Sequence, residues 1–354
     1  MAFRLFGFWR RRGEALRGKP PRTDDDDRPL EDRRRAVAAA TLPTEIVKFR
    51  VEPAGEPQNE RAKYYVVDEN TGTRFYVGFV DYYYSRKGIA RYSEEVIYDR
   101  FAEEKRNGLW AHFVWPTVMA EGAGQHLVVN CYDRAAFTWG FYQLAAHTAD
   151  DNLILLMREL LKLPTAKFYF PDLALVDGKV AKVTPGGTVS LERAVWSSAH
   201  REHQIPDFMA YMNPSDRRVE NIEVINAAKF LDWARRDPLM LAATVQVSMR
   251  IMKGKVAKWA DKYHLVGRRP ELAIWISDMF HQGRGDEAQA KRALTRPTLD
   301  QQLEALSTID TSGQHATRRA TVKSHVQKLR DERRFDGVEF GKGPLALDAD
   351  PHTS

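Results

Sequence analysis

Three consecutive stretches late in the chain space their apolar residues at intervals of three and four. They are NIEVINAAKFLDWARR, DPLMLAATVQVSMRIMKGKVAKWADKY and ELAIWISDMFHQG, between residues 221 and 283. An α-helix turns once in about 3.6 residues, so this spacing predicts three amphipathic helices in a row, with a shared helical core. The early part of the chain follows another rule. EIVKFRVEP and AKYYVVDENTGTRFYVGFVDYYY cluster Val, Tyr and Phe in strand-like runs, and Asp68 to Gly72 supplies turn residues between two of them. That pattern predicts a hairpin inside a small β layer from about 45 to 85. A second hairpin is expected at LALVDGKVAKVTPGGTVSLE, residues 173–192, with turns at Asp177-Gly178 and Pro185-Gly186-Gly187.

Together these periods predict an α+β chain in which helix predominates. SEEVIYDRFAEEKRN, 93–107, opens with Ser93 and carries Glu94 and Glu95. It reads as a capped helix start with acidic residues at the positive end of the dipole. WAHFVWPTVMAE then forms a short apolar helix leading to Glu121, and GAGQH ends it. DQQLEALSTID and HATRRATVKSHVQKLRDERR give two further polar helices. The expected division is a charged, disordered arm over 1–43, a β-rich element over 44–90 and a main domain over 91–297. C-terminal helices over 298–336 and a frayed tail over 337–354 follow.

Residues 19–36, KPPRTDDDDRPLEDRRRA, are almost free of large apolar groups and cannot bury enough surface to order themselves. The segment before them, MAFRLFGFWRRRGEALRGK, sets a short apolar run ahead of its arginines. A secretory signal has the opposite order and a longer apolar core, so no cleaved signal peptide is expected. The arm remains a candidate for docking to a protein partner or a membrane surface. The chain as a whole has 43% hydrophobic residues, enough for a sizeable core. Its net charge of +6 suits a polyanionic partner, or serves solubility alone. The single cysteine, Cys131, excludes an intrachain disulfide and a cysteine-rich zinc site. No run approaches the roughly 18 apolar residues of a membrane span. There is no H-x-x-x-H pair and no phosphate-binding G-x-x-x-x-G-K-[ST] loop, so no metal and no cofactor are expected. A nucleic-acid motif is also missing, leaving the basic helix after His315 as a weak pointer only.

The residues that could carry chemistry lie between 119 and 156. Glu121 stands at the end of an apolar helix beside small residues, and Asp133 follows twelve residues later. Cleaving a glycosidic bond needs a carboxylic acid to protonate the leaving oxygen and commonly a second carboxylate to activate water. The acid is served by apolar surroundings that disfavour its charge. A Glu at a helix end is equally compatible with a solvent-facing residue, and an Asp before Arg134 with a surface ion pair.

The run Glu121, then Asp133-Arg-Ala-Ala-Phe-Thr138, then Gly140 resembles the active-site segment of the lysozyme superfamily, especially its chitosanase branch. There a helix ends in the acid and a β-hairpin supplies an Asp, with a Thr five residues on, in a D-x-x-x-[YF]-T-x-G pattern. The next residues, GFYQLAAHTA from Gly140, are similar to the G-L-M-Q-L-M-P-x-T-A signature of lytic transglycosylases. The chain departs from these patterns at Gly122 and Ala146, where Ser and Pro are usual, and its Glu-to-Asp spacing is shorter than in chitosanases. The similarity spans about residues 95–165.

The resemblance implies a two-lobed, mainly helical lysozyme-like fold with a small β-hairpin at its cleft, and 44–90 as an added N-terminal β element. It implies Glu121 as general acid, Asp133 as base or electrostatic partner and Thr138 as the residue that positions water. Tyr132, Arg134, Phe141, Tyr142, Gln143, His147 and Thr148 would bind sugar, although core burial is the alternative for each aromatic and for His147. The implied substrate is peptidoglycan, in preference to cationic chitosan, which a positive chain suits poorly. Such a bacterial or phage enzyme, made in the cytoplasm, would reach the wall after lysis or by dedicated export. The alternatives are a lytic transglycosylase using one carboxyl group, and a non-catalytic lysozyme-like docking protein.

Overall fold

The structure, a computed structural model, describes residues 41–347. Most of the expected arm, and the last part of the expected tail from 348 to 354, lie outside the described residues. The chain is mixed α/β, with 42% helix against 19% strand, so the expected excess of helix is observed. It divides into two compact units, each discontinuous in sequence. A sheet unit comprises 41–97 and 125–248, and a helical unit comprises 98–124 and 249–347. Among the described residues no helix is long and apolar enough to cross a membrane.

The sheet unit is organised by one antiparallel meander of seven strands in sequence order. They are β1 (Phe49–Ala54), β2 (Lys63–Asp68), β3 (Arg74–Tyr83), β4 (Arg86–Arg91), β5 (Val129–Asn130), β6 (Thr138–Trp139) and β7 (Leu144–Ala145). The Asp68–Gly72 turn joins β2 to β3 as its residues predict, with Gly72 in the left-handed region at φ 71°. The 173–192 hairpin is also present: Val176 pairs with Lys179, and Thr184 with Gly187.

The boundary expected at residue 90 does not hold. Ala90 pairs with Asn130 and Arg91 with Val129, so the early strands and the 129–145 segment form one sheet and no separate N-terminal element exists. A glycine makes this possible. A Cβ on Gly88 would meet the Cys131 carbonyl carbon and oxygen at 2.4 Å, so only glycine lets the two backbones come this close.

Helix Asn221–Arg236 covers β1 to β4 with its buried Val224, Ala228 and Leu231. Its Phe230 ring lies 5.5 Å from Phe137 and 5.1 Å from Trp139, which fixes the strand segment from behind. Glu223 of the same helix, fully buried, reaches back to accept the Ile89 N–H at 2.6 Å.

The expected helix start at Ser93 is also corrected. The helix runs Arg100–Asn107 and is capped by Asp99, whose side chain accepts from the Phe101 and Ala102 N–H groups. Glu95 is drawn elsewhere, to Arg91 at 2.7 Å and Arg235 at 2.9 Å. Burial alone would raise its pKa, but the two guanidiniums outweigh that and lower it to about 2.

In the helical unit, helix Trp110–Gly122 is buried on nearly every side, as an apolar helix without a polar face must be. Helices Pro270–His281 and Ala316–Asp331 pack against it. Residues 337–347, the described part of the tail expected to fray, are instead packed: Phe340 is buried and stacks on Phe113 with ring centroids 5.4 Å apart. Aromatic burial outweighs the cost of ordering a chain end here. Helix Pro238–Lys262 contributes its first part, to Ser248, to the sheet unit and the remainder to the helical unit.

Candidate functional site

The predicted site residues are divided between the units. Glu121 belongs to the helical unit, and Asp133, Thr138 and all the expected sugar-binding residues belong to the sheet unit.

Glu121 is the second-last residue of its helix. The chain leaves that helix through Ala123 at φ 54° and Gly124 at φ 72°, with the Ala123 N–H returning to the Met119 carbonyl at 3.0 Å. The surroundings of Glu121 are not the apolar ones expected. Its Oε2 accepts from Arg318 Nη1 at 2.6 Å and lies 3.6 Å from His281 Nε2. Arg318 donates through Nε at 3.1 Å and Nη2 at 2.6 Å to Asp278 Oδ1. Asp278 Oδ2 in turn accepts from Arg284 Nη2 at 2.8 Å. Two carboxylates and two guanidiniums thus alternate in a chain, all four buried. Burial works against the charge on Asp278, but Arg318 and Arg284 overcome it and hold its carboxyl below the usual range. Burial likewise opposes the Arg318 cation, yet Asp278 and Glu121 push its pKa above its ordinary value.

Local sequence explains how Arg284 joins this chain. Gly283, at φ 73°, ends the helix Pro270–His281 in a left-handed turn, and the Arg284 N–H bonds back to the Met279 carbonyl at 3.1 Å. A Cβ on Gly285 would meet the Phe280 ring at 2.6 Å. The SDMFHQGRG segment thus supplies Asp278, His281 and Arg284.

In the sheet unit, Asp133 begins a tight turn between β5 and β6. Its Oδ1 accepts the Ala135 N–H at 2.8 Å and its carbonyl accepts the Ala136 N–H at 3.1 Å, an Asx turn that lets Ala136 take φ 62°. Asn213 clamps the same turn by donating to the Cys131 carbonyl at 3.2 Å and the Ala136 carbonyl at 3.0 Å. Thr138 lies in β6, fully buried between Asn130 and Ala145, and its hydroxyl has no hydrogen-bond partner among the described residues.

Gln143, in a left-handed conformation, donates to the Gly140 carbonyl at 2.7 Å and accepts from Asn130 Nδ2 at 2.5 Å. Tyr132 packs against the Tyr65, Tyr76 and Phe79 cluster, its hydroxyl 3.3 Å from that of Tyr92. Phe141 is buried with its ring 4.9 Å from His126, and Tyr142 is buried as well. Thr148 accepts from Asn152 Nδ2 at 3.3 Å and bridges to Gln204.

Arg134 and His147 meet at a residue that sequence reasoning missed. Glu202 Oε1 accepts from Arg134 Nη1 at 3.3 Å and from Gln204 Nε2 at 2.9 Å, and lies 3.5 Å from His147 Nε2. Burial, with the Arg134 cation behind it, lowers the His147 pKa to about 4 against the pull of Glu202, so the ring is neutral at physiological pH. No spacing links Glu202 to Arg134. Arg318 was visible in a basic helix, but nothing marked it as the partner of a glutamate 197 residues away.

Among the described residues no three His, Cys, Asp or Glu side chains are grouped to hold a metal ion. Comparison with protein-family models, with curated proteins and with solved structures returned no match.

Proposed function

We propose that this chain is a cell-wall glycan hydrolase of the lysozyme type, with a lysozyme-like fold, acting on peptidoglycan. The observation that carries the reading is local. Helix Trp110–Gly122 ends one residue after Glu121, and the next segment turns at Asp133 and enters β6 at Thr138, the order that the lysozyme-superfamily resemblance implies. In the reaction that the resemblance implies, Glu121 first takes up a proton from solvent on leaving Arg318, then gives it to the glycosidic oxygen as the sugar–oxygen bond breaks. Asp133 takes a proton from the incoming water or steadies the positive sugar ring.

The Arg318 contact has a defined place in this scheme. Asp278 holds Arg318 through Nε and Nη2, and Nη1 reaches Glu121. Glu121 can therefore leave the guanidinium for a glycosidic oxygen while Arg318 keeps its partner and its position. Between turnovers the same arginine holds the carboxyl still.

One observation favours a second reading. The Arg318 bond to Glu121 and the Ala135 bond to Asp133 give both carboxyls structural work. On that reading the chain is a non-catalytic, lysozyme-like docking protein.

Digestion of purified peptidoglycan decides between them. Glu121→Gln keeps the size and the acceptor for Arg318 but removes the transferable proton. Activity should fall by a factor on the order of 100 or more, with the circular dichroism spectrum unchanged. Near-normal activity in the variant removes Glu121 from the mechanism, and an inert wild-type chain favours the docking protein.

A further inference from the structure

Among the described tryptophans, Trp196 is the exposed one, at 56%; the others are buried or half-buried. It lies in the short hairpin Val195–Ser197 with Glu202–Gln204, beside Val195, which is 40% exposed. Large aromatic surface left in water forgoes about 25 cal/mol for each Å² it could have buried, so this indole is not serving a core.

The indole is nonetheless held in place. His203 stands directly opposite in the strand register, and the two rings meet T-shaped, 5.1 Å apart at 67°. A T-shaped neighbour fixes the ring without a second ring stacked flat on it. The turn of the hairpin is polar and carries one cation: His200 and Arg201 are both exposed there, with His203 beside them.

The hairpin is also joined to the candidate site. The next register pair after Trp196 and His203 is Ser197 with Glu202. Glu202 binds Arg134 at 3.3 Å and approaches His147 at 3.5 Å, so the hairpin is tied directly to the turn that carries Asp133.

We infer that Trp196 is the platform of a saccharide-binding subsite, on which a pyranose ring of an anionic glycan lies flat. A pyranose presents a face of C–H groups whose positive edge complements the negative face of an indole. The exposed Arg201 at the turn of the same hairpin suits the carboxyl groups of wall glycan and its peptide stems. This assignment rests on the glycan reading above but not on catalysis, because binding does not need Glu121.

The test compares full-length wild type, Trp196→Ala and Trp196→Phe. Binding is measured by co-sedimentation with purified peptidoglycan and by calorimetry with a soluble tetramer of N-acetylglucosamine. Trp196→Ala should weaken both about tenfold, the equivalent of ~1.4 kcal/mol, with Trp196→Phe in between. Where the wall is digested, KM should rise by a similar factor while kcat stays within about twofold. Wild-type binding that Trp196→Ala leaves unchanged overturns the subsite and leaves the hydrolase reading standing. Loss of binding to anionic lipid vesicles, with glycan binding intact, would reassign the hairpin to a membrane surface. A wild-type chain that binds neither peptidoglycan nor the tetramer overturns the subsite and the glycan reading together.

Discussion

The helical unit and the sheet unit hold their candidate residues by different physics. Around Glu121 the partners are full charges: Arg318, Asp278 and Arg284 alternate in sign, all of them buried. In the sheet unit the turn that begins at Asp133 is held by neutral groups: the Ala135 N–H on the Asp133 carboxyl, and the Asn213 amide on the Cys131 and Ala136 carbonyls. In the same unit Glu202 gathers Arg134 and His147. In a buried ion chain the central member matters most, because removing it strands the charges on both sides in a poor solvent. A neutral hydrogen-bonded turn loses its parts one at a time, at about 1 kcal/mol each.

The largest expected effect breaks the ion chain. Asp278→Asn leaves Arg318 and Arg284 facing each other without their shared carboxylate. It should destabilise the chain by about 3–5 kcal/mol, measured by urea unfolding. A loss below about 1 kcal/mol would mean that the four residues do not act as a unit.

The next effect belongs to the sheet unit and appears as pH dependence. Burial lowers the pKa values of His126 and His147 to about 4, below the ordinary 6.5. A depressed folded pKa gives stability that is present above 6.5 and lost as the pH falls toward 4. Between pH 6.5 and 5 the two histidines together should cost about 3 kcal/mol. Replacing either with a neutral residue of similar size, as in His126→Gln, should halve that slope. An unchanged slope would place the acid sensitivity elsewhere.

The smallest effect has the opposite sign and sharpens the second. Burial raises the Glu223 pKa to about 8, against the N–H bonds from Ile89 and Glu220. A raised folded pKa gives stability that is present below the ordinary 4.5 and lost as the pH rises through 8. From pH 5 to 6.5 Glu223 should cost about 2 kcal/mol, partly masking the gain from the histidines. Glu223→Gln should therefore steepen the measured rise over that window.

These two regions also differ in how far the sequence reveals them. The helices between 221 and 281 and the turns at Asp68–Gly72 and Asp177-Gly178 are legible, because periodicity and turn chemistry act within a few residues. The pairing of Ala90 with Asn130 is not, since strand pairing across a long connection leaves no local mark. Ser93 and Glu95 mimic a helix cap because that signal is local, whereas the Glu95 partner Arg235 lies 140 residues on. Among the site residues, Glu121 and Asp133 stand out through the pattern of their neighbours. Asp278, Arg318 and Glu202 have no such pattern and enter only through the fold.

The central claim is that this chain breaks a glycosidic bond with water. Mass spectrometry of the soluble products from purified peptidoglycan tests it most directly. The wild-type chain should release fragments with ordinary reducing ends, and Glu121→Gln almost none. Fragments ending in anhydro sugars would mean transglycosylation by a single carboxyl group, and a wall left intact by the wild-type chain would contradict the claim outright.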